Sequence, residues 1–358
     1  MKKCSRCLIT SVIPEIRIDD ECEFCKIHDK LELESRTFNL DGFISKLKRT
    51  KNKYHCLIGI SGGLDSSFML EYTVRTLKLN PLVIHFDNGW NTEIADRNIL
   101  TLVKALNVDF IRYHINRNLY NEVCKSLLLA SVPDADIAND MVMAELMVRT
   151  ARQYKIKYVF NGHDFRHEGS SPLAWTYMDA LYVKSVYKRW IGKELKDFPM
   201  IGFWKQIFQR TKQFRLLYYI DYNPGKEKQR LMSIYGWQDY GEKHSENIYT
   251  WFIGAYILPV KFGIDKRITY LSARIRSGEI SKKEGLRIIR TPVIYDGDTF
   301  IMKRFNLSWL TVMKALIDDH YSYKTYHSMF IKYRWIMWIL MKLNIVPYLF
   351  YKKYCQNR

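Results

Sequence analysis

Two groups of residues have the types and spacing for chemistry. Cys4-x-x-Cys7 and Cys22-x-x-Cys25 stand with 14 residues between the pairs, close to the spacing of four-thiolate Zn²⁺ sites. A shell of Cys4, Cys7, Cys22 and Cys25 leaves no open position for a substrate, so a structural role is expected; an iron centre of the rubredoxin kind would use the same ligands. The second group is Ser61-Gly-Gly-Leu-Asp-Ser-Ser67, between the apolar run His55–Ile60 and an amphipathic segment over 66–79. A turn between strand and helix gathers backbone N–H groups that cradle an anion. Gly62 and Gly63 admit phosphate oxygens that a Cβ would block, and Ser61, Ser66 and Ser67 add hydroxyl donors. Asp65 would repel bare phosphate, which implies either a Mg²⁺ bridge or a place at a helix N-terminus. No Walker-type Lys follows, which weighs against a kinase or GTPase.

The elements that must hold these groups alternate as in α/β folds. Apolar runs at 55–60, 81–86, 109–114 and 157–160 predict strands, with helices over 66–79, 94–106 and 140–154 between them. Runs ending in small or acidic residues, Asp87-Asn-Gly and Asn161-Gly-His-Asp164, predict a parallel sheet whose ligand sits beyond the strand C-termini. From about Ser170 aromatics and Lys/Arg become dense, and the remainder reads as mainly helical. The expected division is a cysteine knuckle over 1–30, an ATP-binding α/β domain over 31–170, a substrate- and partner-binding part over 171–310, and a basic aromatic tail over 311–358. His28 reads as a surface residue.

The loop SGGLDSS resembles the PP-loop of the ATP-pyrophosphatase superfamily, which implies cleavage of ATP between its α and β phosphates and an adenine nucleotide alpha hydrolase-like sheet. The same resemblance places Asp87, Gly162 and His163 at the adenosine and Asp164, with Asp65, at Mg²⁺; helix capping is the plainer reading of Asp87 and Asp164. Three further segments narrow it: Glu168-Gly-Ser-Ser-Pro-Leu-Ala-Trp175, Gly236-Trp-Gln-Asp-Tyr-Gly-Glu-Lys-His-Ser-Glu246 and Leu258-Pro-Val-Lys-Phe-Gly-Ile-Asp-Lys-Arg267. Together with the cysteine pairs these resemble the N-acetyl sugar amidotransferases of bacterial O-antigen, pseudaminic and legionaminic acid synthesis. That family implies conversion of an acetamido group on a nucleotide-activated sugar into an acetamidino group. Glu242 stands where the family pattern usually has a second Gly before Lys-His. Lys243 could then bind an anionic group, His244 transfer protons and Glu246 orient the ammonia or the amide. Ser170, Ser171, Trp175, Trp237 and Tyr240 are expected at the substrate, although Trp237 and Tyr240 read equally well as core aromatics. The resemblance also implies ammonia from a separate glutaminase with a barrel-type channel subunit.

A formal charge of +19, from 56 Lys+Arg against 37 Asp+Glu, predicts anionic partners, which phosphorylated sugars satisfy without nucleic acid. No run of roughly 18 apolar residues occurs, and the start lacks an apolar leader segment, so a cytoplasmic protein is expected. Two rivals share features with this reading. A tRNA thiolase would combine knuckles, PP-loop and basic surface, but needs further cysteines near the nucleotide, where only Cys124 is a candidate. A non-catalytic, membrane-associated scaffold draws on the tail, where Trp335, Ile336, Trp338, Ile339, Leu340 and Leu343 mingle with Lys and Arg.

Overall fold

The computed structural model describes residues 2–13, 16–172, 175, 178–202, 205, 209–293, 295, 298–318, 330–343, 345–346 and 348–355. The apolar runs become strands β1 (Cys56–Gly59), β2 (Pro81–Asp87), β3 (Asp109–His114) and β4 (Tyr158–Phe160), joined by β5 (Lys212–Phe214) from the second half of the chain. All pairings are parallel, in the order β3-β2-β1-β4-β5. β2 is buried along its whole length, as a strand covered on both faces must be.

Helix α1 (Glu23–Thr37) starts inside the second cysteine pair and carries Cys25, and α2 (Leu40–Lys48) leads on to the sheet. The crossovers are α3 (Leu64–Arg75), α4 (Glu93–Leu106), α5 (Arg117–Leu129) and α6 (Ile137–Gln153). The helical part adds α7 (Ala180–Ile191), α8 (Pro224–Tyr235) and α9 (Ile248–Phe252), then a π-helical turn (Ile253–Ile257) leading into α10 (Leu258–Phe262). It continues with α11 (Arg267–Arg276), α12 (Lys282–Arg290), α13 (Asp298–Phe305), α14 (Trp309–Ile317), α15 (Arg334–Lys342) and α16 (Tyr348–Cys355).

One core lies on each face of the sheet. On one side Leu57, Leu82, Ile84 and Phe86 meet α5, α6, α7 and the helices after Ile248. On the other, Ile58, Ile60, Val83 and Phe160 meet α3, α4, Leu216, Leu231 and Trp237. A third cluster gathers the four cysteines with Ile9, Ile13, Ile18 and Trp175, so apolar packing shares the knuckle's folding with any metal. No described helix is long and apolar enough to cross a membrane.

Candidate functional site

The strand order reverses between β1 and β4, whose next neighbours are β2 and β5. A parallel sheet opens a crevice at such a point, and the loops after β1 and β4, Ser61–Ser67 and Asn161–Asp164, flank it. Gly162 lies against α3: a Cβ there would sit 3.5 Å from the Ser66 nitrogen.

The SGGLDSS turn is held by its own backbone geometry. Gly62 has φ +84°, and a Cβ would come 2.3 Å from the Ala95 carbonyl oxygen, so no other residue fits. Asn98 fastens the turn from α4, donating to Gly62 O at 3.3 Å and to Gln238 O at 2.8 Å. Gly63 N donates to Ser61 Oγ at 3.2 Å and Leu64 N to Tyr240 OH at 3.2 Å, so hydroxyl oxygens sit where N–H groups at a helix start would meet an anion. Ser66 Oγ lies 3.3 Å from Ser61 N. Ser67 differs: it is fully buried and accepts from Trp237 Nε1 at 3.2 Å, so its hydroxyl is engaged inside the core.

Residues 236–270 close over this turn. Trp90 O accepts from Ile248 N at 2.8 Å, and Thr92 N donates to Glu246 O at 2.9 Å, which lays the Glu246 segment along the end of β2. The result is a short distance: a Cβ on Gly63 would stand 3.0 Å from Glu246 Oε1 and 3.3 Å from Tyr240 OH. Lys243 Nζ reaches Asp65 Oδ2 at 3.1 Å and Glu168 Oε1 at 2.8 Å, an ammonium between two carboxylates. Tyr222 OH donates to the other Asp65 oxygen, and His163 pairs with the other Glu168 oxygen. His244, at φ +69°, faces the Tyr270 ring at 5.8 Å. In front opens a cavity of about 490 Å³ lined by Asp65, His167, Trp237, Tyr240, Lys243 and Tyr270, among others.

The buried charges are uneven. Burial raises the Asp65 carboxyl above its ordinary value, against the pull of Lys243. Burial would also raise Glu168, but Lys243 and His163 hold it well below the usual carboxylate range. Burial lowers Lys243, and Asp65 with Glu168 more than restore it, so it stays a cation. His244 is pushed down to about 4 by burial and by Lys243, so it is neutral near pH 7. Glu246 is pushed up to about 7, chiefly by burial and further by Asp65, and its Oε2 has no hydrogen-bond partner.

The other expected residues have partners of their own. Asp87 is enclosed by Arg112 at 3.0 Å, His114 at 3.0 Å and Arg117 at 3.4 Å and accepts from Gly89 N, an anchor for the loop after β2. Asp164 accepts from Arg166 N at 3.0 Å and pairs with His167, and it is Glu168 that shares a lysine with Asp65. Ser170 is half-buried and Ser171 exposed, beyond Gly169, whose own backbone abuts α11. Trp175 is buried against the cysteine cluster, and Trp237 is 2% exposed, a core aromatic whose edge reaches the cavity. Leu173 and Ala174 of that motif lie outside the described residues. Sequence reasoning missed Glu168, Tyr222 and Tyr270 as site members. The only signal was that Glu168 opens a motif whose later residues drew the attention.

The cysteine site gathers its four sulfurs within 4.8 Å of one another. Sγ–Sγ separations of 3.7 Å (Cys4–Cys25), 3.6 Å (Cys7–Cys22) and 3.7 Å (Cys22–Cys25) match the edge of a tetrahedron with bonds of about 2.3 Å, roughly 3.8 Å. All four thiols are buried and none is in a disulfide. Cys7 N and Cys22 N donate to Cys4 Sγ at 3.4 and 3.3 Å, and Arg276 Nη1 approaches Cys7 Sγ at 3.6 Å, the outer shell that orients such ligands. Lys282 Nζ binds Cys4 O at 2.7 Å and Leu8 N donates to Ser272 Oγ at 3.2 Å, docking the knuckle on α11 and α12. His28 is a correction: it is 3% exposed, edge-on to Phe165 at 5.0 Å, because α1 packs onto the segment after β4.

The parallel sheet in this order, with a serine–glycine loop at its switch point, a four-cysteine knuckle and a helical C-terminal part, defines an α/β protein with a candidate anion-binding loop at its switch point. Within it, residues 246–341 match the family described as LPS biosynthesis protein WbpG-like, C-terminal domain, which bears out the resemblance read from the sequence. Over 168 residues the chain is 28% identical to the uncharacterized protein MJ1599 of Methanocaldococcus jannaschii, covering 45% of this chain and 59% of that one. Solved structures similar in fold include the U34-tRNA thiolase NcsA of Methanococcus maripaludis with its [4Fe-4S] cluster (TM-score 0.35, 15% identity, 80% of this chain and 88% of that one). The NH3-dependent NAD synthetase of Campylobacter jejuni is another (TM-score 0.29, 12% identity, 76% and 100%). At such scores nothing of their chemistry passes to this chain.

Proposed function

We propose that the chain is an ATP-dependent, AMP-forming amidotransferase of LPS biosynthesis, converting an acetamido group of a nucleotide-activated sugar into an acetamidino group. One observation carries this reading: the segment that opens the WbpG-like region places Glu246 3.0 Å from the Cβ position of Gly63, in the phosphate loop. An amide carbonyl is a poor electrophile; transfer of AMP to its oxygen, with release of pyrophosphate, gives an imidate from which ammonia displaces AMP.

In this scheme the Ser61–Ser66 turn grips the phosphates through its N–H and hydroxyl groups, and Lys243 neutralises charge developing on the α-phosphate. Asp65 and Glu168 offer hard carboxylate oxygens suited to Mg²⁺, which would supply further neutralisation of the triphosphate. Glu246, with a carboxyl titrating near neutrality, takes the proton from the attacking nitrogen. Ammonia would come from a separate glutaminase through a barrel-type partner. Zn²⁺ in the cysteine knuckle would be structural, a role that the closed thiolate shell supports.

The thiolase alternative fares less well, because no cysteine lines the described cavity and both Cys56 and Cys124 are fully buried. The test is incubation with ATP–Mg²⁺, ammonium and candidate nucleotide sugars, followed by mass spectrometry. A loss of about one mass unit, as NH replaces O, with AMP released, is expected. ATP cleavage at the γ-phosphate alone would refute the reading.

A further inference from the structure

We infer that the α15–α16 hairpin is a membrane-interface element that seats the protein on an anionic lipid surface. The hairpin has a small core of its own, Phe330, Met337, Val346, Tyr354 and Cys355, which fixes the inward face of α15. Its outward face is therefore a formed surface, and it is apolar: Trp335 is 63% and Trp338 47% exposed, with Ile339, Leu343 and Ile345 exposed beside them. Residues 335, 338, 339 and 343 recur at helical spacing, so they form one stripe. Contiguous exposed apolar patches on a soluble protein mark contact surfaces for a protein or a membrane.

Charge selects the occupant. From His320 to Arg358 the sequence carries seven Lys and Arg and no Asp or Glu. Lys332 and Arg334 at one end of α15 and Lys342 at the other are exposed and bracket the stripe. Indoles settle at the headgroup level of a bilayer, where flanking cations meet anionic phosphates. A protein partner would instead favour few lysines around the contact. No described helix spans a membrane, which leaves an element lying in the interface plane. The hairpin is tied to the body by Lys352 Nζ to Glu23 at 3.2 Å, on the helix that carries Cys25. This inference is independent of the reaction proposed above.

The test is flotation of the full chain with vesicles of phosphatidylcholine and phosphatidylglycerol at about 3:1, against phosphatidylcholine alone. Wild type is expected to float with the anionic vesicles and much less with the neutral ones. Trp335→Ser/Trp338→Ser should weaken that partition by about tenfold or more, because the indoles supply the buried apolar area. Lys332→Glu/Arg334→Glu should abolish the lipid preference. Both pairs are exposed, so circular dichroism and ATP-dependent turnover should match wild type. Equal flotation of the double Trp variant, or no flotation of wild type, would overturn the inference. So would a fall in the solution mass of the Trp variant without vesicle binding, which would mark the face as a contact between protein chains.

Discussion

The loop at Ser61–Ser67 and the segment at 236–270 face each other across one cavity, but they are built by different means. In the first, function rests on main chain: a glycine no other residue can replace, a helix start, and side chains that hydrogen-bond the turn to itself. In the second it rests on side-chain charge: Lys243, Glu246 and the aromatic walls Tyr240 and Tyr270. A main-chain grip recognises any triphosphate, whereas a buried lysine and glutamate decide what reacts with it. Under the proposed reaction, this division would separate holding ATP from choosing the acceptor.

Substitutions on either side can break that division. Asp65→Asn removes a carboxylate that both sides share, through Lys243 and Tyr222, so AMP-forming turnover should fall by about 10³-fold while circular dichroism stays native. Lys243→Met should cost about 10²-fold and, by leaving Asp65 and Glu168 buried together, lower thermal stability as well. If Lys243→Met also weakens ATP binding measured by calorimetry, the separation fails.

Glu246→Gln should cost about tenfold above neutral pH, and it sharpens the comparison through its pH dependence. In wild type kcat/KM should rise as pH climbs through about 7, the point where Glu246 loses its proton, and the variant should lack this limb. The sign for stability is opposite. A carboxyl raised in the folded state keeps a proton that the unfolded chain has released, so wild type loses stability as pH rises from the usual carboxylate range through about 7. Urea titrations at about pH 5 and pH 8 should show that loss in wild type and not in Glu246→Gln.

Gly62→Ala should destabilise by about 2 kcal/mol, since φ +84° and the 2.3 Å approach to Ala95 O must both be relieved; urea unfolding measures it. Cys22→Ser should affect the cleft least: bound zinc, measured by mass spectrometry of the metal, should fall together with solubility, while turnover of the soluble fraction stays close to wild type.

Much of this was legible. Strands β1, β2 and β4 showed as apolar runs because both faces of the sheet are covered there, the edge strand β3 showed through Phe110, Ile111 and Tyr113, and the cysteine spacing already pointed to one cluster of four thiols. β5 did not, since Lys212-Gln-Phe214 is an edge strand of three residues with two exposed side chains. Glu168 was passed over because its importance comes from Lys243, 75 positions away by residue number, and no local pattern encodes that pairing. His28 was misread for a similar reason: the ring that buries it, Phe165, belongs to a distant loop. Local periodicity reports elements; the charge pairs that make a site are long-range.

The knuckle's seat on α11 and α12 has a consequence for biosynthesis. Lys282 closes on the carbonyl of Cys4 across 278 positions of sequence. At 5–20 residues per second the ribosome needs roughly 14–56 s to supply that lysine after the cysteine has been made. Through that interval the four thiols lack their lid, so early capture of a metal ion would guard the nascent chain against oxidation and mispairing until its far end arrives.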